Sequence, residues 1–332
     1  MSSKSIKNIL ITGGAGYIGS SLVGLLLSKD YNIFVYDNLS FGGESLLGAL
    51  AYPNFKLIKG DIMDYEFIDS TFAHNNIDAV IHLAAIVGDP ACVKQPKLAI
   101  KVNYDSSVNL YNCAIRYKVK RFIFASTCSN YGKMPDPAGY VNEKSPLAPI
   151  SLYAELKVKT ENYILGGSRK ARGFAPTVLR FATAYGVSPR MRFDLTVNEF
   201  TKELALGREL VVFGKQFWRP YCHVHDIGRA VVEVLEAKEK RVLGKVFNVG
   251  DTGENYQKQL IVDVIKEVIP KAKIKYVERD EDPRDYRVSF KKIKNELGFT
   301  VSKKLLDGIK EVKFLIDSKI LPDSDNAKYK NV

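Results

Sequence analysis

A chain of 332 residues, 46% hydrophobic and 26% charged, is long enough for one large α/β domain with a smaller companion, and its composition excludes a disordered polymer. Its apolar runs, such as residues 22–27, fall far short of the roughly 20 residues that cross a bilayer, and the amino terminus lacks a signal-type apolar segment, so the cytoplasm is expected and a membrane is not. The formal charge of +12 raises a nucleic-acid role, but Lys and Arg are spread along the chain with only short clusters at 291–294 and at the end, which suits a small anionic ligand better.

From Asn8 to about Arg180, short β-rich runs alternate with longer helical periods, the pattern of a parallel sheet with crossover helices. Strands are expected at 8–12, 32–37, 55–59, 79–83, 121–125 and 177–180, each rich in Ile, Val, Phe or Leu as strands buried on both faces should be. Helices are expected between them at 17–29, 64–74, 96–118 and 151–166. After Gly186 the regularity weakens around Pro189, Arg190 and Arg192. Further on, a helix is expected near 195–206, strands at 211–213 and 246–249, and helices at 257–268 and 302–316. The fold class is therefore α/β, a doubly wound parallel sheet over residues 6–185 with return segments near 220–250. A smaller α/β lobe for substrate takes 186–219 and 251–322, and the polar stretch 323–332 reads as a loosely ordered tail.

Directly after the first strand comes Gly13-Gly14-Ala15-Gly16-Tyr17-Ile18-Gly19, opening a helix, with Asp37 at the end of the second strand. Glycines let the backbone turn tightly and approach a diphosphate, while the helix amino terminus attracts its charge. An acid at the end of the second strand accepts from the adenosine ribose hydroxyls and repels the extra phosphate of NADP. This Rossmann-type arrangement predicts NAD over NADP. Asp61-Ile62, after the third strand, is placed to hold the adenine edge, and Asp64 reads as a helix cap.

Tyr153 and Lys157 stand four apart on one helical face, and Thr127, at the end of the preceding strand, lies at the sheet edge where ligands bind. Taken with Gly13 to Gly19, Asp37-Asn38-Leu39-Ser40, Asp61-Ile62, His82-Leu83-Ala84-Ala85, Asn103, Tyr131-Gly132, Leu179-Arg180, Tyr185-Gly186, the segment from Arg219 to Asp226 and Asn248-Val249-Gly250, the chain resembles the extended short-chain dehydrogenase/reductases over nearly its whole length. Within them it is similar to the NAD-dependent nucleotide-sugar epimerases and dehydratases. The resemblance implies that Tyr153 is the base for a sugar hydroxyl, that Lys157 holds the nicotinamide ribose and stabilises the phenolate, and that Thr127 bonds the reacting oxygen. Bringing a phenol from a pKa of about 10 to neutrality takes roughly 4 kcal/mol, within reach of an ammonium and a positive nicotinamide together. It also implies cofactor contacts from Gly13, Ala15, Gly16, Tyr17, Ile18, Gly19, Asp37, Asn38, Asp61, Ile62, Leu83, Ala84, Ala85 and Asn103. Substrate contacts fall to Thr127, Ser129, Thr183, Arg219 and Arg284, the two arginines gripping the diphosphate.

Three departures sharpen the expectation. The 4,6-dehydratases follow the catalytic Thr with an Asp-Glu pair that eliminates water; Cys128 and Ser129 stand here, which disfavours dehydration. Thr183 replaces a common Asn, and the loop Val87-Gly88-Asp89-Pro90-Ala91-Cys92 is unlike that of the 4-epimerases, which leaves the sugar open. The expected activity is C4 epimerisation of a nucleotide-diphosphate sugar through a transient 4-keto sugar, with a net 4-dehydrogenase or 4-ketoreductase as the alternative. A fold-sharing binding protein without chemistry is disfavoured by the intact Tyr153 and Lys157. His223 and His225 alternate as on a strand, but no third ligand accompanies them, and the four cysteines form no C-x-x-C pair, so no metal is expected. Apolar residues Val108, Leu110, Tyr111 and Ile115 exceed what one sheet covers, and in the resembling family these helices pair in a four-helix bundle, so a homodimer is expected.

Overall fold

In the computed structural model, which describes residues 6–134, 136, 139–167, 173–279 and 284–331, the six expected strands lie side by side in one sheet. They are β1 (Asn8–Thr12), β2 (Asn32–Asp37), β3 (Phe55–Lys59), β4 (Ala79–His82), β5 (Arg121–Thr127) and β6 (Ala175–Phe181). After β7 (Thr183–Tyr185), β8 (Glu209–Phe213) and β9 (Trp218–His223), the chain returns as β10 (Lys245–Val249) to pair with β6. The result is a seven-stranded parallel sheet in the order β10-β6-β5-β4-β1-β2-β3. β1 lies between β2 and β4, so the winding reverses there and opens a crevice at the carboxyl ends of the strands, where such sheets take their ligands.

The middles of the inner strands are apolar on both sides because both faces of the sheet are covered, and polar residues such as Thr12, His82 and Ser126 come at or near the strand ends. Ile9, Ile11, Val35, Ile81 and Ile123 point into a core closed by the helices Tyr17–Leu27 and Val224–Glu236. Leu10, Tyr36, Val80, Phe122 and Phe124 alternate into a second core under Tyr65–His74, Ser106–Arg116 and Leu152–Gly167. A separate cluster of Val197, Phe200, Val212, Ile261, Ile265 and Ile309 holds together β8, the strand pairing with it and the helices Thr196–Ala205, Lys258–Val268 and Leu305–Asp317. There β11 (Asn255–Gln257) pairs with β9, and β12 (Lys273–Val277) with β8.

Two expectations change. The helix expected over 96–118 ends at Arg116 and carries a wide π turn at Lys101–Asp105, where the Ser106 amide and hydroxyl both bond to the Lys101 carbonyl. That extra width turns Asn103 inward. The stretch expected as a loose tail is anchored as far as it is described, Val332 lying outside the described residues. Asp325 pairs with Lys202 and Arg208, and the Phe193 amide donates to the Tyr329 carbonyl at 2.8 Å. Apolar period is absent from this segment; ion pairs and one aromatic contact, Tyr329 edge-on to Phe193, hold it instead.

Candidate active site

The glycine run folds as its spacing requires. Gly13 takes a φ of +73°, and a Cβ there would meet the Ala84 amide nitrogen at 2.7 Å; at Gly19 it would meet the Gly13 carbonyl at 2.3 Å. The helix that follows is capped by Gly16 without a side-chain bond, which leaves first-turn N–H groups open to an anion. Asp37 faces this loop: its Oδ2 accepts from the Ala15 amide at 2.9 Å and its Oδ1 from Leu39 at 2.8 Å. Burial raises its pKa and the two amides oppose that rise. Each oxygen keeps a lone pair for a ribose hydroxyl. Asp61 accepts from Met63 at 2.8 Å and from Asn38 Nδ2 at 3.1 Å, joining the ends of β2 and β3. Asp64 caps its helix through the Phe67 amide, as expected. A dinucleotide fits this donor and acceptor set.

At the end of β4 a buried chain runs from Thr12 to His82 to Ser107, at 2.7 and 2.8 Å. Burial first, then the Lys157 charge, lowers the His82 pKa to about 3, so the ring stays neutral and fastens strand to helix. Asn103 spends its side chain on Ile86, accepting from its amide at 2.8 Å and donating to its carbonyl at 2.9 Å. It therefore shapes the loop behind Leu83, Ala84 and Ala85.

Thr127 ends β5, with its hydroxyl accepting from the Ser129 amide at 3.1 Å. Tyr153 is half-buried on the Leu152–Gly167 helix, packed by Ile86 and Cys92. Lys157 is buried, donates to the Ala125 carbonyl at 2.7 Å and lies 5.8 Å from the Tyr153 ring centre. Burial lowers its pKa to about 8 although Glu161 and Cys92 oppose this. Burial also raises the Tyr153 pKa, Cys92 and Asp89 add to the rise, and only Arg192 opposes it. The phenol is thus held protonated.

Beneath this surface lies a polar network. Glu161, one turn beyond Lys157, takes the Arg180 guanidinium on both oxygens, at 3.1 Å from Nε and 2.6 Å from Nη2, and also accepts from Ser126 and from Asn130 at 2.8 Å. Ser126 and Asn130 flank Thr127, so the pair locks the strand end to the helix that carries Tyr153 and Lys157.

Across the crevice, Arg219 lies over the Tyr286 ring at 5.3 Å, and Tyr286, its pKa pushed up to about 12 by burial, bonds to Ser129. Arg284 pairs with Asp89 at 3.0 Å, and Asp89 also accepts from Ser151 at 2.6 Å. Thr183, half-buried, sits on β7 opposite Tyr221. Cys128 is turned away, donating to the Arg180 carbonyl at 3.3 Å, and burial pushes its thiol far up. The histidines do not share a strand. His223 ends β9 and caps the next helix, its Nδ1 accepting from the His225 amide at 3.2 Å, so the two side chains have separate tasks. Among the described residues no group of three or more His, Cys, Asp or Glu is arranged to hold a metal ion.

Residues 9–250 match the sequence profile of the NAD dependent epimerase/dehydratase family. The chain belongs to that family. It is 29% identical to UDP-glucose 4-epimerase of Bacillus subtilis over 90% of this chain and 93% of the relative. It is 31% identical to dTDP-glucose 4,6-dehydratase of an Actinoplanes species, over 91% and 95%. Among solved structures, UDP-glucose 4-epimerase of Thermotoga maritima with UDP-glucose matches with a TM-score of 0.81 and 31% identity, over 94% of this chain and 99% of that one. Epimerases and dehydratases of the family thus stand at equal distance, and the site itself must separate them.

Sequence reasoning missed Asp89, Ser151, Arg192 and Tyr286 as members of the site. Ser151 had a local signal, a cap two residues before Tyr153. Asp89 and Tyr286 are placed by contacts with Arg284 and Ser129, far away in the chain, while Arg192, bonded locally to Asp194, comes near Tyr153 only through the fold.

Proposed function

We propose that this protein is an NAD-dependent epimerase of nucleotide-diphosphate sugars that inverts C4 through a transient 4-keto sugar, and that it works as a cytoplasmic homodimer. The reading is supported by Lys157 donating to the Ala125 carbonyl on β5 and lying 5.8 Å from the Tyr153 ring centre, with Thr127 ending the same strand and Cys128 bonded away to the Arg180 carbonyl. NAD supplies the hydride acceptor when bound. Tyr153 takes the C4 hydroxyl proton as the C4 hydride departs, Thr127 orients the reacting oxygen, and Lys157 holds the phenolate by charge. On return, Tyr153 gives its proton to the C4 oxygen, and bound cofactor would supply hydride to the opposite face of the turned keto sugar. Residues 186–219 and 251–322 make up the substrate-binding lobe, with Arg219 and Arg284 on the nucleotide diphosphate and Ser129 and Thr183 near the sugar. Cys128 lacks the acidity to stand in for the dehydratase Asp, which sets this chain apart from its dehydratase relatives. Leu110 and Tyr111 are covered within the chain, so the dimer rests on the remaining faces, where Ile100 and Tyr163 stay exposed.

The test is incubation with NAD and a panel of UDP-, dTDP-, GDP- and CDP-sugars, reading NADH absorbance and the C4 configuration of the recovered sugar. UDP-glucose heads the panel because the Thermotoga relative binds it. Inversion with little free NADH is expected. Accumulating NADH and keto sugar would instead establish the 4-dehydrogenase, and Asp37→Ala should narrow the preference for NAD over NADP in either case.

A further inference from the structure

Arg190 is 7% exposed, and among the described residues no carboxylate pairs with it. Its Nη2 donates to the carbonyls of Lys330 and Lys328 at 3.1 and 3.5 Å, its Nε is buried without any partner, and its guanidinium lies 4.3 Å from the Phe41 ring centre. The nearby carboxylate, Asp194, is already held by Arg192 on both oxygens, at 2.9 and 2.6 Å. A buried guanidinium without a counter-charge is strongly unfavourable, and two carbonyls and a ring do not compensate it. Burial, and then Arg192, brings even this arginine down to about 10.

Its surroundings say what is missing. The Arg190 amide donates to Ser20 at 3.2 Å, Ser188 donates to the Tyr17 carbonyl at 2.6 Å, and the Tyr17 hydroxyl donates to the Gly186 carbonyl at 2.6 Å. The segment 186–190 is therefore stitched to the first turn of the helix that follows the glycine loop. Phe41 comes from the loop after Asp37, which is tied to the same place by Ser45 donating to the Ala15 carbonyl at 2.8 Å. Resting on the assignment of this loop to NAD, we propose that Arg190 is the counter-charge of the dinucleotide diphosphate, and that residues 323–331 form a strap that holds it there and slows cofactor release. The strap is fastened for this at both ends: Asp325 to Lys202 and Arg208, and Asn331 to Asp194 at 3.2 Å.

The experiment compares the full chain with Arg190→Met, Arg190→Lys and a chain lacking 323–332, using NAD and adenosine as probes. Calorimetry should show NAD binding about 10- to 100-fold weaker in Arg190→Met, the range for losing one charge-assisted contact, with adenosine unchanged because it carries no phosphate. Arg190→Lys should recover part of the loss. The ligand-free melting temperature of Arg190→Met should hold or rise, since an unpaid charge has gone. Removing the strap should speed NAD release several-fold in a chase. Equal NAD affinity in Arg190→Met, an equal loss for adenosine, or a ligand-free melting temperature lower by several degrees would overturn the assignment to Arg190. Unchanged release from the shortened chain would overturn the strap. Should the unmodified chain bind neither probe, the NAD site itself is misplaced, a result distinct from all of these.

Discussion

Arg180 and Arg190 are both more than nine-tenths buried, yet the chain treats them in opposite ways. Arg180, at the end of β6, gives Nε and Nη2 to Glu161 and Nη1 to the Tyr131 hydroxyl at 3.0 Å, and Tyr131 passes its own hydrogen to Asn248 at 2.8 Å. Its charge is cancelled on the spot. Arg190, above the glycine loop, has no carboxylate and one idle N–H. The difference teaches which buried charges belong to the scaffold and which wait for a ligand, because interior ions persist only when something compensates them.

If the Arg180 network is scaffold, chemistry and stability should separate cleanly around it, and the largest effect belongs to chemistry. Tyr153→Phe keeps ring and packing while deleting the proton acceptor. Turnover of the sugar found by the panel should fall by a factor on the order of 10² to 10⁴, with NAD affinity and melting temperature nearly unchanged. Thr127→Val should cost less, since the base stays in place. Near-full activity in Tyr153→Phe would remove Tyr153 from the mechanism and leave the fold untouched.

Glu161→Gln converts the first arginine into the second, a buried guanidinium stripped of its counter-charge. Breaking such a pair on one side costs about 3 to 5 kcal/mol, to be read from denaturant unfolding. The comparison predicts more than a loss: saturating NAD should rescue none of it beyond the usual linkage, because no ligand reaches this pocket. A cost below about 1 kcal/mol would mean that the pair is not the lock between Thr127 and the helix that carries Tyr153 and Lys157.

The sheet and the centre of the site were legible because their signals are local. Gly13 to Gly19 need only the strand before and the helix after, and Thr127, Tyr153 and Lys157 need only a strand end and a helical spacing. What escaped was set by distance along the chain. Arg284 meets Asp89, Arg190 meets Lys330, and Tyr286 meets Ser129, and no period or spacing carries those pairings. Asn103 was singled out as a cofactor contact, and its part as a clamp on Ile86, which depends on the π turn beneath it, was not legible. The His-x-His alternation misled for a physical reason: the strand ends within it, and a histidine in place of the usual Ser, Thr or Asp caps the next helix.

The smallest effect tests the contact between the end of β9 and the helix Leu305–Asp317. His223 accepts through Nδ1, so Nε2 carries the hydrogen and donates it to Glu311 at 2.9 Å, while Lys303 reaches the other oxygen at 2.9 Å. Burial raises the Glu311 pKa, but the bonds from His223 and Lys303, with the Lys303 charge, outweigh it and bring it from 4.5 to about 2. A carboxylate lowered on folding adds stability that is complete above the unfolded value and vanishes as pH falls through the folded one. The window is therefore pH 4.5 down to about 2. Glu311→Gln should cost roughly 2 kcal/mol near neutral pH, once the 31% exposure of this side chain is allowed for, and nothing at the acid end. Melting curves of both proteins from pH 7 downward should converge across that window. Curves that stay parallel would show that Glu311 acts by shape and not by charge, and the contact would then resemble neither of the two arginines.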